Sequence, residues 1–146
     1  MKRLLQMGAS QETLIDTYDK QVRTILEYCV PVWHPRLTRS QSQQLERVQN
    51  VSMRVILGDK YSSSSNARHR LKFDTLYQRR SNICLKFGMK ALEHPNHSKW
   101  FQPNDTNNPS RIQKPRLREP YCRTERYRHS TIPFLTRMIN TNKKHT

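Results

Sequence analysis

The sequence is short of acid. Against 27 lysines and arginines stand 11 aspartates and glutamates in 146 residues, leaving a net charge of +16. No two acids are adjacent, so the clustered carboxylates that two-metal phosphoryl transfer requires are missing. Glycine is scarce at three residues, which argues against a glycine-cradled nucleotide site. The three cysteines, Cys29, Cys84 and Cys122, are far apart and form no Cys-x-x-Cys. That excludes a paired zinc finger and a disulfide framework, and favours a reducing, intracellular compartment, nucleus or cytoplasm, with Cys29 and Cys84 as buried free thiols. No apolar run approaches the roughly 20 residues of a membrane span. The basic start MKRLLQMGAS lacks the apolar stretch of a secretory signal. Gly-x-Ser-x-Gly, a P-loop and His-Glu-x-x-His are all absent. No autonomous catalysis, cofactor or small-molecule substrate is expected.

What the chain does have is unevenly spread. Of its 30 Leu, Ile, Val and Phe residues, 23 fall in positions 1–93 and 7 in positions 94–146. Both stretches carry a net charge of +8, although the second is little more than half as long. A modest core is expected in 1–93, followed by a basic tail over 94–146 that is ordered by nucleic acid or by a partner domain.

Apolar spacing predicts three helices. Ser10 is a candidate N-cap, followed by Leu14, Ile15, Tyr18, Val22, Ile25, Leu26 and Cys29 at steps of three and four, until Pro31 ends or kinks the run. Thr38 and Gln41 fit a capping box. Leu45, Val48, Val51 or Ser52, Val55 and Ile56 then form a buried face, with Gly58 as the stop. The serine-rich run from Asp59 to Asn66 reads as a mobile loop. Asp74 could cap a third helix over 75–92 that buries Leu76, Ile83, Cys84, Phe87 and Ala91. Six of the eight prolines follow His94, which limits the tail to one short helix near Phe134–Ile139. The fold class is therefore all-α, about three short helices in a small bundle with a largely irregular tail. Three short helices bury little surface for a free-standing domain.

Two basic constellations could hold a polyanion. Arg68, Arg70, Lys72, Arg79, Arg80, Lys86 and Lys90 have only Asp74 against them. Arg79 and Lys86 are seven apart and Lys86 and Lys90 four apart, so one helix side can present cations to a nucleic-acid backbone. In the tail, Arg116, Arg118, Arg123, Arg126 and Arg128 alternate with Tyr121 and Tyr127. Arginines pair with phosphate and aromatics stack on exposed bases, unless these tyrosines dock the tail on the core. The candidate phosphate contacts are Arg68, Arg70, Arg79, Arg80, Lys86, Arg123, Arg126 and Arg128. His94, His97 and Cys84 are one thiol and two imidazoles around a proline turn, with no matching second half, so no metal site is expected.

Residues 10–35, S-Q-E-T-L-I-D-T-Y-D-K-Q-V-R-T-I-L-E-Y-C-V-P-V-W-H-P, and 37–58, L-T-R-S-Q-S-Q-Q-L-E-R-V-Q-N-V-S-M-R-V-I-L-G, carry a resemblance. So do R-R-S-N-I-C-L-K-F at 79–87, H-P-N-H-S-K-W-F at 94–101 and R-T-E-R-Y-R-H-S-T-I-P-F-L-T-R-M-I-N at 123–140. In order and spacing these segments resemble the region after the catalytic palm of reverse transcriptases from LINE-type, jockey-like non-LTR retrotransposons. The resemblance covers nearly the whole chain. It implies the helical thumb and C-terminal connection of an RNA-directed DNA polymerase, which packs on the palm and holds template and primer. By the same resemblance Glu27, Tyr28, Pro31, Trp33 and His34 belong to a structural signature, with Trp33 a packing anchor. Glu46, Arg47 and Gln49 sit on the second helix, where Arg47 faces nucleic acid or solvent.

The departures matter as much. The aromatic-x-Asp-Asp turn that binds catalytic metals is absent, as are the fingers and palm that precede it. Thr24 stands where the family often has proline, and the zinc knuckle of some relatives is missing. The chain opens inside the family pattern, so the expectation is a truncated, non-catalytic fragment with residual affinity for RNA or DNA backbone. The alternatives are a non-functional pseudogene product, or one module of an active polymerase whose palm and fingers are encoded upstream.

Overall fold

The structure is a computed structural model that describes residues 1–104 and 117–142. Among these the chain is mostly helical, in line with the all-α expectation, but with more helices than the three predicted. The chain divides into two compact units, Met1–Cys29 with Leu37–Arg80, and Val30–Arg36 with Ser81–Thr146. This division differs from the compositional break at residue 93.

In the first unit, α1 (Lys2–Gln6) leads to α2 (Gln11–Thr17), where the Ser10 hydroxyl accepts from Thr13 N at 3.2 Å. The predicted single helix is then interrupted. Tyr18–Val22 form a π turn, and α3 (Arg23–Glu27) follows. A π turn spends one extra residue, which rotates the following face by about 100°. Leu14 and Tyr18 are accordingly buried and Leu26 half-buried, while Ile25 is 76% exposed. The helix ends at Glu27, ahead of the proline. Cys29 takes φ +50° and is exposed, which corrects the expectation of a buried thiol.

The Thr38–Gln41 capping box forms in full and opens α5 (Arg39–Leu57). Gly58, at φ +51°, closes the helix. The buried face of α5 is centred on Gln49, Ser52, Met53 and Ile56, with Val48 and Val51 exposed. Gln49 goes inside because its Nε2 donates to the Asp74 carbonyl at 2.9 Å. Helix α6 (Ser64–Leu71) begins inside the expected loop and takes its last three residues, since the Ser63 hydroxyl accepts from Asn66 N at 3.2 Å and starts a helix. Helix α7 (Leu76–Glu93) is capped differently from expectation. Thr75 Oγ1 accepts from Gln78 N at 3.1 Å, and the Glu46 carboxylate of α5 accepts from Tyr77 N at 2.7 Å and Leu76 N at 3.3 Å. The first five residues of α7 belong to this unit and the remainder to the second.

Leu14, Tyr18 and Ile56 form one core of this unit, and Met53, Leu57 and Ala67 another; Leu71 and Phe73 pack against both. The Tyr18 ring stacks on Phe73 at 5.3 Å. Its hydroxyl is buried with no hydrogen-bond partner among the described residues. Burial pushes this hydroxyl up to about 12, from an ordinary 10.0. Tyr18→Phe should therefore stabilise the protein by about 1 kcal/mol, because an orphaned polar group leaves the interior. The folded state keeps the Tyr18 proton between pH 10 and 12, where the unfolded chain has begun to lose it, so this contribution to stability falls as pH rises through that window. The advantage of the phenylalanine variant should widen across the window. Urea denaturation at several pH values checks this, and an advantage that shrinks toward pH 12 would refute it.

The second unit is built on α9 (Thr131–Asn142) and the body of α7. Pro31 sits in the first turn of α4 (Val30–Trp33), where its missing N–H is harmless, and a 3-10 turn at His34–Arg36 follows. Thr131 Oγ1 donates to the Pro31 carbonyl at 3.1 Å, and His34 meets Phe134 edge-on at 5.6 Å. The core gathers Val30, Cys84, Ala91, Phe101, Leu117, Leu135 and Ile139, with Trp33 packed against it. Gly88 lets α7 approach α9 closely, since a Cβ there would lie 3.3 Å from Ile139 Cδ1 and 3.4 Å from Leu135 Cδ2.

The described part of the tail is more ordered than expected. A short antiparallel pair joins β1 (Gln102–Pro103) to β2 (Leu117–Arg118). The Asn140 side chain both donates to the Leu117 carbonyl at 2.9 Å and accepts from Leu117 N at 3.0 Å, completing β2. Helix α8 (Glu125–Arg128), capped by Thr124, precedes α9, which covers the short helix predicted at 134–139 and extends it at both ends.

Candidate nucleic-acid interface

The eight candidate phosphate contacts fare differently. On α6, Arg70 is exposed and donates to the Lys60 carbonyl at 3.0 Å, and Arg68 is half-buried. They are two residues apart on a helix, so they do not share a face. Arg79 is tied to Glu27 in a bidentate pair, with Nη2 3.1 Å from Oε2 and Nε bonding Oε1. That hydrogen bond raises the Arg79 pKa above its ordinary value. Arg80 is fully buried and its Nη2 donates to Ser42 Oγ at 2.8 Å, so it is an internal cation and not a surface contact. Both are absorbed by the first unit.

In the second unit Lys86, Arg123, Arg126 and Arg128 are exposed. Arg128 pairs with Glu125 at 3.0 Å, in an exposed geometry that contributes little stability. Lys86, Lys90, Arg123 and Arg126 have no ion pair with any described carboxylate. Lys86 and Lys90 stand one turn apart on α7, so the predicted cationic stripe survives in its C-terminal part, where Arg79 no longer belongs to it. This unit carries 14 lysines and arginines against four acids, compared with 13 against seven in the first. The charge is thus most one-sided in the second unit.

Tyr121 is 89% exposed, which removes the alternative that it docks the tail onto the core; Tyr127 is 42% exposed. Arg116 lies outside the described residues. Trp33 is half-buried and packs against the core of its unit. Cys84 is buried, and no group of three metal-ligating side chains occurs among the described residues.

The grouping that sequence reasoning missed follows α7. His94 and His97 stack with ring centroids 4.4 Å apart and an interplanar angle of 24°, and His97 stacks on Trp100 at 4.5 Å and 27°. The signal was the spacing of aromatic rings at 94, 97 and 100. A three-residue period brings side chains into register in a 3-10 turn, whereas the two histidines were weighed only as metal ligands beside Cys84 and set aside.

Scans against protein-family models, curated proteins and solved structures each find no match to this chain.

Proposed function

We propose that this chain is the non-catalytic thumb and C-terminal connection of a retrotransposon-derived, LINE-type reverse transcriptase, and that it binds RNA or DNA through the sugar-phosphate backbone. The observation that carries the binding half is the set Lys86, Lys90, Arg123 and Arg126, exposed in the second unit without described acidic partners. Cations arranged in this way release counterions from a polyanion and supply affinity without reading sequence. Arg68, half-buried, and Arg70, exposed, are further candidate contacts on separate faces of α6. The identity half is supported by the sequence segments that resemble the family, and by Trp33 and His34 packing in a core as structural residues would. Exposed Ile25, Tyr28, Val48 and Val51 suit a module that packs on a palm. Without an aromatic-x-Asp-Asp turn the chain should extend no primer by itself.

A filter-binding titration across salt concentrations tests the binding half. With four or more backbone contacts, the log–log plot of affinity against salt should fall with a slope of about −3 or steeper. A flat plot between low and physiological salt would refute it.

A further inference from the structure

We propose that the His94–His97–Trp100 column is a stacking platform for an unpaired nucleobase, served by a backbone rail on α7. This deepens the binding function proposed above and rests on it.

The column is a product of local chain geometry. Helix α7 ends at Glu93 because Pro95 can supply no amide and restricts the residue before it. The backbone then tightens. His97 N donates to the His94 carbonyl at 3.1 Å and Trp100 N to the His97 carbonyl at 3.0 Å, giving two successive three-residue turns. In such turns side chains at i and i+3 eclipse one another. Three rings placed at that spacing stack before any ligand arrives. His94 Nδ1 accepts from Asn96 N at 3.2 Å, which fixes its ring further. His94 and Trp100 are both exposed, and His97 between them is half-buried. A tryptophan serving only as core would not leave 41% of its surface in water. A flat π surface of this kind accepts any base, because every base has a π face.

The cations fit the same occupant. Lys86, Lys90 and His94 lie at successive four-residue steps, and His94 N still donates to the Lys90 carbonyl at 3.1 Å, so the helical row runs on to the first ring. Each step rises about 6 Å along the helix. Lys99, next to Trp100 in the chain, lines a shallow cavity of about 410 Å³ together with Ser98, Leu92, Phe101, Pro103 and Leu117. A strand held on Lys86 and Lys90 by its phosphates can therefore extend a base onto the column, with Lys99 on the next phosphate. A duplex cannot do so, because its bases are already stacked within it.

The test compares three ligands of equal length at one low salt concentration: oligothymidylate, the same backbone without bases, and a duplex. Affinity is read by anisotropy and stacking by tryptophan fluorescence. Oligothymidylate should quench the fluorescence and bind about fivefold or more tightly than the abasic strand, while the duplex leaves the fluorescence unquenched. Trp100→Ala should bring the ratio of the two single-strand affinities close to one while leaving the abasic affinity unchanged, and Trp100→Phe should keep most of the ratio. Equal wild-type affinities for the two single strands would overturn the platform and leave backbone binding standing. A ratio that persists in Trp100→Ala would place the stacking elsewhere, with exposed Tyr121 the next candidate, and would overturn the assignment to this column. Absence of binding to all three ligands would overturn both the platform and the binding function on which it rests.

Discussion

A variant with Lys86, Lys90, Arg123 and Arg126 all changed to glutamine is expected to lose about three units of salt slope and on the order of 10³ in nucleic-acid affinity near 0.1 M salt. The arithmetic is that of counterion release, in which each neutralised phosphate contributes close to one unit of slope, somewhat less on a single strand. The loss should be uniform across sequences, because backbone contacts carry no base information. The four side chains are exposed and have no described ion-pair partner, so stability should shift by only a few tenths of a kcal/mol. Arg79→Gln is the internal comparison. Its guanidinium is held by Glu27, so this change should leave the slope where it was. A quadruple variant that binds with the wild-type slope would place the interface elsewhere on the chain.

Leu135→Ala is expected to cost about 2–5 kcal/mol of stability. Leu135 is fully buried on α9, within the cluster that includes Val30, Cys84, Phe101 and Ile139. The size of the effect depends on whether the site can close over the missing atoms. Here one wall is the backbone of α7 at Gly88, against which Leu135 Cδ2 and Ile139 Cδ1 rest. Helix backbone cannot swing inward as a side chain does, so most of the cavity should persist. Chemical denaturation of the wild type and the variant measures the cost. A change below about 1 kcal/mol would mean that α9 does not dock on α7 in solution.

The parts of the fold that could be read from the sequence are those settled within a few residues. Ser10 and the Thr38–Gln41 box declare themselves because cap and amide lie three positions apart. The all-α class follows from apolar period alone. Two of the misreadings come from partners distant in the chain, and the one at Ser63 is local. Glu46 caps α7 from 30 residues away, which left Asp74 looking like the natural cap. Arg80 read as a surface cation because nothing local announces that it is buried and bonded to Ser42, 38 residues away. The Ser63 run read as a loop because serine is equally at home capping a helix. Of the candidate interface, charge and stripe spacing were legible at Lys86 and Lys90. The ring column was not, since a three-residue period after a helix end resembles neither helix nor strand.

The π turn at Tyr18–Val22 bears on how this chain aligns with others. It amounts to one residue more than an unbroken α-helix needs over the same rise. A relative with a regular helix here aligns with residues 10–30 only across a one-position gap near 18–22. Aligned without that gap, every apolar position beyond it is out of phase by one: the exposed Ile25 falls on the relative's buried position, and the half-buried Leu26 falls one position past it.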